Sequence, residues 1–375
     1  MLAAGLAGCS KDDGTNVPIT GISIAETKTV QIGQTVQLTV TVMPENATEK
    51  PDFAWSSSDS GVATVDESGN VTAHSTGNAV ITVRLRSNEA VQATCTVTGS
   101  EETAEYDPDE VVEFEDSKFQ ALTLYYDKNN DGKLQAWEAA LVTELELSGQ
   151  SIKSLRGIEY FTELESLNCT SNLLTSLDVT NNRKLRALWC KSNRIVSLDV
   201  TPLRDLQILN CESNRLTSLD VSQNTELVHL LCGMNSGAMT DDDGITKIDV
   251  SNNPKLETLS VYYLNLSELD VTNNPSLKKL DFGMCCHTRW GDLTPIEHID
   301  LSRNPELEEL NCASSNYPGF GLDELDVSNN PKLKRLTTYG NPKLGSLDLS
   351  RNPELKTLNC CHNLSLIHIS EPTRP

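Results

Sequence analysis

The 375-residue chain is long enough for two or three domains, and its 53 acidic against 30 basic residues give a formal charge of −23. That balance excludes nucleic acid and anionic membrane as direct partners, since basic patches hold both, while cations and basic proteins stay compatible. Aromatic residues make up only 5%, so a conventional globular core is not expected to hold the protein together.

The amino terminus reads Met1-Leu-Ala-Ala-Gly-Leu6-Ala7-Gly8-Cys9-Ser10. Leu6-Ala7-Gly8-Cys9 resembles a lipobox, in which the cysteine becomes the acylated first residue of a mature lipoprotein, although the apolar run before it is short and has no Lys or Arg. Ser10-Lys11-Asp12-Asp13 resembles the acidic sorting signal that sends lipoproteins to the outer face of some Gram-negative cells. The resemblance implies lipidation at Cys9, a tether over residues 1–16 and a place at the cell surface as an outer-membrane lipoprotein. Membrane contact is expected through that lipid only, because no other stretch approaches the apolar length of a bilayer span.

Residues 17–99 change to short alternating segments between turn residues. Gln31 to Val42, Asp52 to Trp55, Val62 to Val65, Val71-Thr72, Ala79 to Arg84 and Val91 to Val97 read as strands. Trp55-Ser-Ser-Ser-Asp59, Val62-Ala-Thr-Val65-Asp66 and Gly69-Asn-Val71-Thr72-Ala73 together resemble a bacterial immunoglobulin-like domain of group 2. Trp55, the largest apolar group, is expected to anchor a two-sheet sandwich, and Cys95 has no partner cysteine in the segment. Modules of this kind mostly act as spacers, and the same role is expected here.

The acidic run within residues 100–112 reads as a solvated linker. In residues 113–141, Asp127-Lys-Asn129-Asn-Asp131-Gly132-Lys133-Leu134-Gln135-Ala-Trp137-Glu138 matches the twelve-residue EF-hand loop. A hard cation needs six or seven oxygens. Asp127, Asn129 and Asp131 offer side-chain oxygens, Lys133 its carbonyl, Gln135 a direct or water-borne ligand, and Glu138 two oxygens at once. Gly132 permits the tight reversal, Leu134 is expected to pack the loop down, and Ser117 to Tyr126 and Ala136 to Glu144 read as flanking helices. The expectation is one structural calcium locking the cap of the repeat region that begins at residue 142.

From residue 142 to 363 a block L-x-x-L-x-C-x-x-N-x-L-x-x-L-D-V-x-x-N recurs, and its aspartates fall at 178, 199, 220, 249, 270, 300, 326 and 348, with steps of 21, 21, 29, 21, 30, 26 and 22. One such unit cannot bury its own leucines, so copies must stack into a solenoid. The block resembles the leucine-rich repeat family in its short bacterial form, with a leading copy at Val142 to Phe161 and about nine turns. Leu167 and Cys169 alternate with Asn168 and Thr170, and Leu177 and Val179 flank Asp178, so two parallel strands per turn are expected on opposite walls. The resemblance implies a concave L-x-C sheet and an inward asparagine ladder through Asn172, Asn193 and Asn214, with Leu264 breaking it in one turn. On the other wall each aspartate is expected to accept hydrogen bonds from neighbouring Ser, Thr or backbone groups. The predicted architecture is thus multidomain: an all-β immunoglobulin-like sandwich, an EF-hand helix-loop-helix cap and a leucine-rich repeat β-solenoid.

Eleven cysteines suggest metal, yet Cys169, Cys190, Cys211, Cys232, Cys312 and Cys360 fall at the inward position of L-x-C and read as buried hydrophobes. In Cys285-Cys286-His287 and Cys360-Cys361-His362 the adjacent cysteines point to opposite faces and cannot converge on one ion without other ligands. Residues 364–375 break the repeat and resemble the translated end of a sequencing adapter, which implies a natural chain continuing past Asn363. No nucleophile elbow, H-E-x-x-H or phosphate loop is present, so the reading is non-enzymatic. The expected function is an adhesin-like, monomeric surface protein whose concave face binds an extracellular protein or glycan through Trp189, Lys191, Leu231, Tyr262 and Tyr339. The alternative is a glycan-capture component, or the front part of an enzyme whose catalytic domain lies beyond this sequence.

Overall fold

A computed structural model describes residues 17–100, 107–235, 244–285, 296–314 and 321–363, and the backbone of 368–370. Cys9 and its lipobox, Cys286, His287 and most of the adapter-like tail lie outside the described residues. The chain forms two compact units, residues 1–104 and 105–375.

The first unit contains Gly21–Ser23 (β1), Thr27–Gln31 (β2), Thr35–Gln37 (β3), Thr41–Met43 (β4), Phe53–Ser57 (β5), Ala63–Val65 (β6), Asn70–Ala73 (β7), Gly77–Leu85 (β8) and Asn88–Ser100 (β9). A four-stranded sheet in the order β2-β9-β8-β5 and a three-stranded sheet β3-β7-β6 enclose the core, with β1 paired to β4. The expected single strand from Gln31 to Val42 is broken. Gly33 turns the chain at φ +82°, so β2 joins β9 in parallel while β3 pairs with β7 in the other sheet. Trp55 is half-buried and packs against both apolar clusters of the unit. Gly69 makes room for it, since a Cβ there would come within 2.6 Å of the indole. Cys95 is buried and unpaired.

The second unit begins with structure where a solvated linker was expected. The Val112 N–H donates to Leu134 O at 2.8 Å and the Ala136 N–H to Glu110 O at 2.8 Å, so residues 110–112 form a short bridge to the acidic loop. Helix α1 (Ser117–Thr123) is capped by Asp116, whose carboxylate accepts the N–H groups of Lys118 and Phe119, and it ends in a 3-10 turn at Leu124–Tyr126. The expected exit helix from Ala136 to Glu144 is only one turn, α2 (Ala136–Ala139). The chain is needed elsewhere, because Glu144–Glu146 (β10) is already the first strand of the solenoid sheet. The cap is therefore a loop between a short helix and a single turn, not a full helix pair. Its core is continuous with the solenoid: Phe119 stacks on Phe161 with ring centroids 6.1 Å apart, and both belong to the same buried cluster as Leu147 and Ile152.

The solenoid stacks β10 with Ser166–Asn168 (β11), Ala187–Trp189 (β12), Ile208–Asn210 (β13), His229–Leu231 (β14), Thr258–Ser260 (β15), Lys279–Asp281 (β16), Glu309–Asn311 (β17) and Arg335–Thr337 (β18). Ser346–Asp348 (β19) lies on the other wall, and Thr357–Asn359 (β20) completes a ten-stranded parallel sheet. In β11 to β18 the central leucine is buried and the residue before it faces outward, the period-two pattern of a sheet with one covered face. The expected second strand per turn is absent among the described residues except for β19, which pairs with the backbone of His368–Ser370. The aspartates explain the difference. Asp178 Oδ1 accepts both the N–H and the hydroxyl of Thr180, and Asp249, Asp300 and Asp326 likewise accept the N–H of the serine two residues on. These turns bend the backbone away from a ladder.

Two asparagine ladders tie the turns together. In the expected one, Asn214 Nδ2 donates to Cys190 O (2.9 Å) and Cys211 O (3.1 Å), and its Oδ1 accepts the Ile195 N–H (3.0 Å). A second, through Asn182, Asn224, Asn253, Asn274, Asn304, Asn330 and Asn352, is fully buried at the opposite corner. There Asn253 Nδ2 donates to Val221 O and Asn224 O at 3.0 and 2.8 Å. Replacing Asn214 by alanine leaves the buried Ile195 N–H without its acceptor and is expected to cost about 2 kcal/mol. Asn359→Ala, on the exposed last strand, is expected to stay within about 0.5 kcal/mol. Urea unfolding of the full chain followed by circular dichroism distinguishes them, and equal midpoints would contradict the assigned role.

Candidate functional site

Two places concentrate chemistry. In the cap, the carboxylates of the loop from Asp127 to Glu138 accept the N–H groups of the loop's own backbone. Asp127 Oδ2 accepts the Gly132 N–H at 2.9 Å and its Oδ1 the Asn130 N–H at 2.7 Å, while Asn130 and Gly132 take φ of 60° and 81°. Asp131 Oδ2 lies 2.6 Å from Gln135 Nε2 and 3.3 Å from Asn129 Nδ2. The Lys133 N–H holds Asp131 below the usual carboxylate range. Glu138 is 0% exposed, and its two oxygens accept the N–H groups of Lys128, Asn129 and Gln135. No cation pairs with it among the described residues, which is costly for a buried carboxylate. The six residues of the predicted ligand set lie in this one loop and are of the kind a hard cation takes, three carboxylates, two carboxamides and the Lys133 carbonyl, but Asn129 and Gln135 both turn their amide nitrogens toward Asp131 Oδ2.

On the sheet, successive strands align their outward residues in columns. One column runs Asn168, Trp189, Asn210, Leu231, Ser260, Asp281. The next, two residues along the chain, runs Thr170, Lys191, Glu212, Gly233, Tyr262, Gly283. The predicted face residues Trp189, Lys191, Leu231, Tyr262 and Tyr339 therefore lie on one face of the sheet, each half-buried. Lys191 Nζ pairs with Glu212 Oε2 at 2.8 Å, and Tyr339 stacks edge-on against His362 at 5.1 Å. Asp281 has its pKa raised by burial, and the nearby Glu212 charge pushes the same way.

On the opposite wall, a groove of about 660 Å³ lies between the Ile248, Leu269 and Ile299 turns. Beside it Glu297, His298 and Asp323 converge, but Lys343 Nζ already bridges the two carboxylates at 2.6 and 3.1 Å. It supplies the counter-charge that a metal would otherwise bring.

Residues 18–97 match the family Bacterial Ig-like domain (group 2). The solved functional domain of InlJ from Listeria monocytogenes, described as including a cysteine ladder, is similar to 69% of this chain and 63% of its own length, with a TM-score of 0.50 and 28% identity. The chain is a bacterial Ig-like domain followed by a leucine-rich repeat domain. An uncharacterized protein of Clostridium acetobutylicum is 44% identical over 66 residues, 18% of this chain and 16% of that protein. The polysaccharide lyase 8 family protein HylA of Enterococcus faecalis is 31% identical over 165 residues, 43% of this chain and 11% of that protein. The chain thus spans a small fraction of the curated relatives it matches.

A cysteine ladder is present here too. Cys169, Cys190, Cys211 and Cys232 are buried on four successive turns, and burial pushes the Cys169 thiol up to about 12 and its three neighbours well above the ordinary value. Cys285 belongs elsewhere: its Sγ donates to Val261 O at 3.2 Å, the counterpart of the bond that Asn235 Nδ2 makes to Cys211 O two turns earlier. Spacing did not reveal this substitution of thiol for carboxamide. Cys360 is half-buried and Cys361 exposed on the last turn. Because only thiolates alkylate readily, iodoacetamide at about pH 8 is expected to label Cys361 and spare Cys169 to Cys232 until the chain is unfolded. Peptide mapping that found Cys190 labelled in the folded protein as fast as Cys361 would refute the buried ladder.

Proposed function

We propose that the protein is a non-enzymatic, adhesin-like binding protein of the cell surface, carried by a lipid on Cys9, spaced from the membrane by its Ig-like domain and monomeric. Its leucine-rich repeat sheet would bind an extracellular protein. The observation that carries this reading is the single outward surface shared by Trp189, Leu231, Tyr262 and Tyr339 on a rigid parallel sheet. Half-buried aromatic side chains held by a framework that needs no reordering are the usual anchors of an interface. The likeness to InlJ supports the class of protein. No described helix is long and apolar enough to cross a membrane, so attachment would fall to the N-terminal lipid. A glycan ligand is the second reading, favoured by the partial likeness to a polysaccharide lyase 8 family protein.

The double variant Trp189→Ala, Tyr262→Ala is the test. The full chain is screened on arrays of extracellular ectodomains and of glycans. A saturable ligand is expected on the protein array, with Kd raised at least about tenfold by the double variant. A ligand found only among glycans selects the second reading. Unchanged affinity in the double variant, or no ligand on either array, overturns the assignment of the face.

We further propose that the cap loop holds one structural calcium through Asp127, Asn129, Asp131, the Lys133 carbonyl, Gln135 and Glu138. The buried Glu138 charge, with only N–H partners, supports it. The ion's role is to neutralise that carboxylate and fix the loop against Val112 and Phe119, on which the first solenoid turn is packed. Binding in about the 10⁻⁴ to 10⁻³ M range suits an extracellular module. At a hundredfold excess of free ion over Kd, linkage adds about 2.7 kcal/mol. Melting with calcium against melting with chelator is expected to show a rise, lost in Glu138→Gln and Asp127→Ala. An identical melting temperature in both buffers, with no heat of calcium binding, would demote the loop to an ordinary turn.

A further inference from the structure

The departures from the repeat are not scattered. The turns after β11, β12 and β13 pass through a left-handed serine, Ser171, Ser192 and Ser213, with φ of 56°, 57° and 55°. The next three turns place Met234, Tyr263 and Met284 there, with φ of 56°, 62° and 56°, although left-handed backbone disfavours bulky side chains. Met234 stands 47% exposed. On the same three turns the preceding position reads Gly233, Tyr262, Gly283. A Cβ at Gly233 would meet Tyr262 O at 2.6 Å and one at Gly283 the Asn311 amide at 3.0 Å, so both positions must stay without a side chain, and half-buried Tyr262, its ring 5.7 Å from that of Tyr263, is the one side chain of that column over these three strands.

This stretch of the sheet is lined by acid. Over Gly233, Glu212 reaches from β13 to β15, where Ser260 Oγ donates to its Oε1 at 3.3 Å. Ser260, buried to 9% exposure, forms the floor. Beside it in the sheet, Asp281 Oδ1 accepts the Gly283 N–H (3.0 Å) and Asn311 Nδ2 (2.9 Å). Most acids near the sheet have a basic partner: Glu212 has Lys191, Glu257 has Lys278, and Glu309 has Lys279 and Arg335. Asp281 has none among the described residues. A position above Ser260 is thus within one turn of an aromatic face, an apolar Leu231 and two carboxylates of which one is unmatched.

We propose that this stretch of the sheet receives one basic side chain, lysine or arginine, from an extended segment of a protein ligand, with the cation above Ser260, Glu212 and Asp281 as its counter-charges and the Tyr262 ring against its stem. The proposal rests on the reading of the sheet as the binding face, and it narrows the partner to one presenting a cation. Charge complementarity selects this occupant: an unpaired, part-buried carboxylate beside an aromatic ring favours a cation and disfavours an acidic or neutral group. The charge of −23 over the chain draws such a partner from a distance.

The test uses a short uncharged Ser/Thr peptide carrying one central arginine, its lysine counterpart, and the same peptide with neutral, isosteric citrulline, each titrated into the full chain by calorimetry. Arginine and lysine peptides are expected to bind at least about tenfold more tightly than citrulline, with affinity falling as salt rises. Asp281→Asn should bring the arginine peptide to the citrulline level while leaving the citrulline affinity unchanged, and Tyr262→Ala should weaken both charged peptides. Thermal melting of each variant, with Asp281→Ser as a second replacement, separates lost binding from lost fold. Equal affinities for arginine and citrulline, arginine binding untouched by Asp281→Asn and Asp281→Ser in folded protein, or no peptide binding at millimolar concentration would overturn the proposal. If the array ligand still requires Trp189 and Tyr262 in that case, the face remains the binding surface and only the cation assignment falls.

Discussion

The solenoid depends on how buried main-chain polar groups are satisfied at its corners. Leucine packing drives the turns together but offers no hydrogen bond, and each turn must bend its backbone in an interior without water. The carboxamide of asparagine solves this with a short side chain that both donates and accepts. Asn193 donates to Cys169 O and Cys190 O and accepts the Leu174 N–H, so a single side chain joins its own turn to the one before. The second ladder is less balanced. Its Nδ2 groups each find two carbonyls, while the Oδ1 atoms of Asn224, Asn253 and Asn274 have no partner. Two donated bonds outweigh one unmatched acceptor when the alternative is two strained or orphaned carbonyls, and the nearly unbroken run of asparagine at that corner results from this.

Electrostatics plays a different part. Some neighbouring turns carry opposite charges at matching positions: Lys184 pairs with Glu163, Lys255 with Glu226, Lys332 with Glu306, and Lys334 with Glu308. These groups are well exposed, and such pairs contribute about 0–1 kcal/mol each. Their value lies in the arrangements they oppose. A stack of near-identical turns tolerates mispairing of neighbours, and like charges placed face to face in a wrong order would repel. The pairing therefore helps to fix the order of the turns, while the leucines supply the cohesion.

Much of this was legible in the sequence because the repeat signal is strong and its physics is local. The L-x-C strands derive from periodicity, and the first asparagine ladder lies where the resemblance to leucine-rich repeats puts it. The acidic loop stood out because its ligand spacing is tight, and it folds as a compact turn whose carboxylates are held by backbone N–H groups. Misreadings arose where competing interactions were invisible. Alternation around Asp178 resembled a strand, but the carboxylate captures the N–H of Thr180 and bends the chain. Ala136 to Glu144 has helical composition, yet Glu144 is claimed by pairing with Ser166. Gln31 to Val42 alternates well, but Gly33 sends its halves to different sheets. Cys285 escaped notice as an asparagine substitute because its neighbours suggested a metal motif, and only the bond to Val261 O identifies its place. The glycines flanking Tyr262 carry meaning only once the strands are aligned.

Separation along the solenoid lets stability and recognition be arranged independently. Each turn touches only its neighbours, so a local defect costs a local amount and does not propagate. The amino-terminal end, where an exposed leucine face would otherwise meet water, is closed by Phe114 and Phe119 against Phe161, with Asp116 bonding both its own helix and the Lys153 N–H. That end holds the acidic loop and the tightest capping. Three successive turns, at β14 to β16, take the bulky left-handed residues Met234, Tyr263 and Met284, each next to a strand paired on both sides, and the last turn takes His362 at φ 61° in the same place. A binding surface at the first or last turn would have to combine strained backbone with an open edge. Placing it on strands paired on both sides keeps the strain where packing constrains it from both directions, and this is the physical reason to seek recognition at the centre of the sheet.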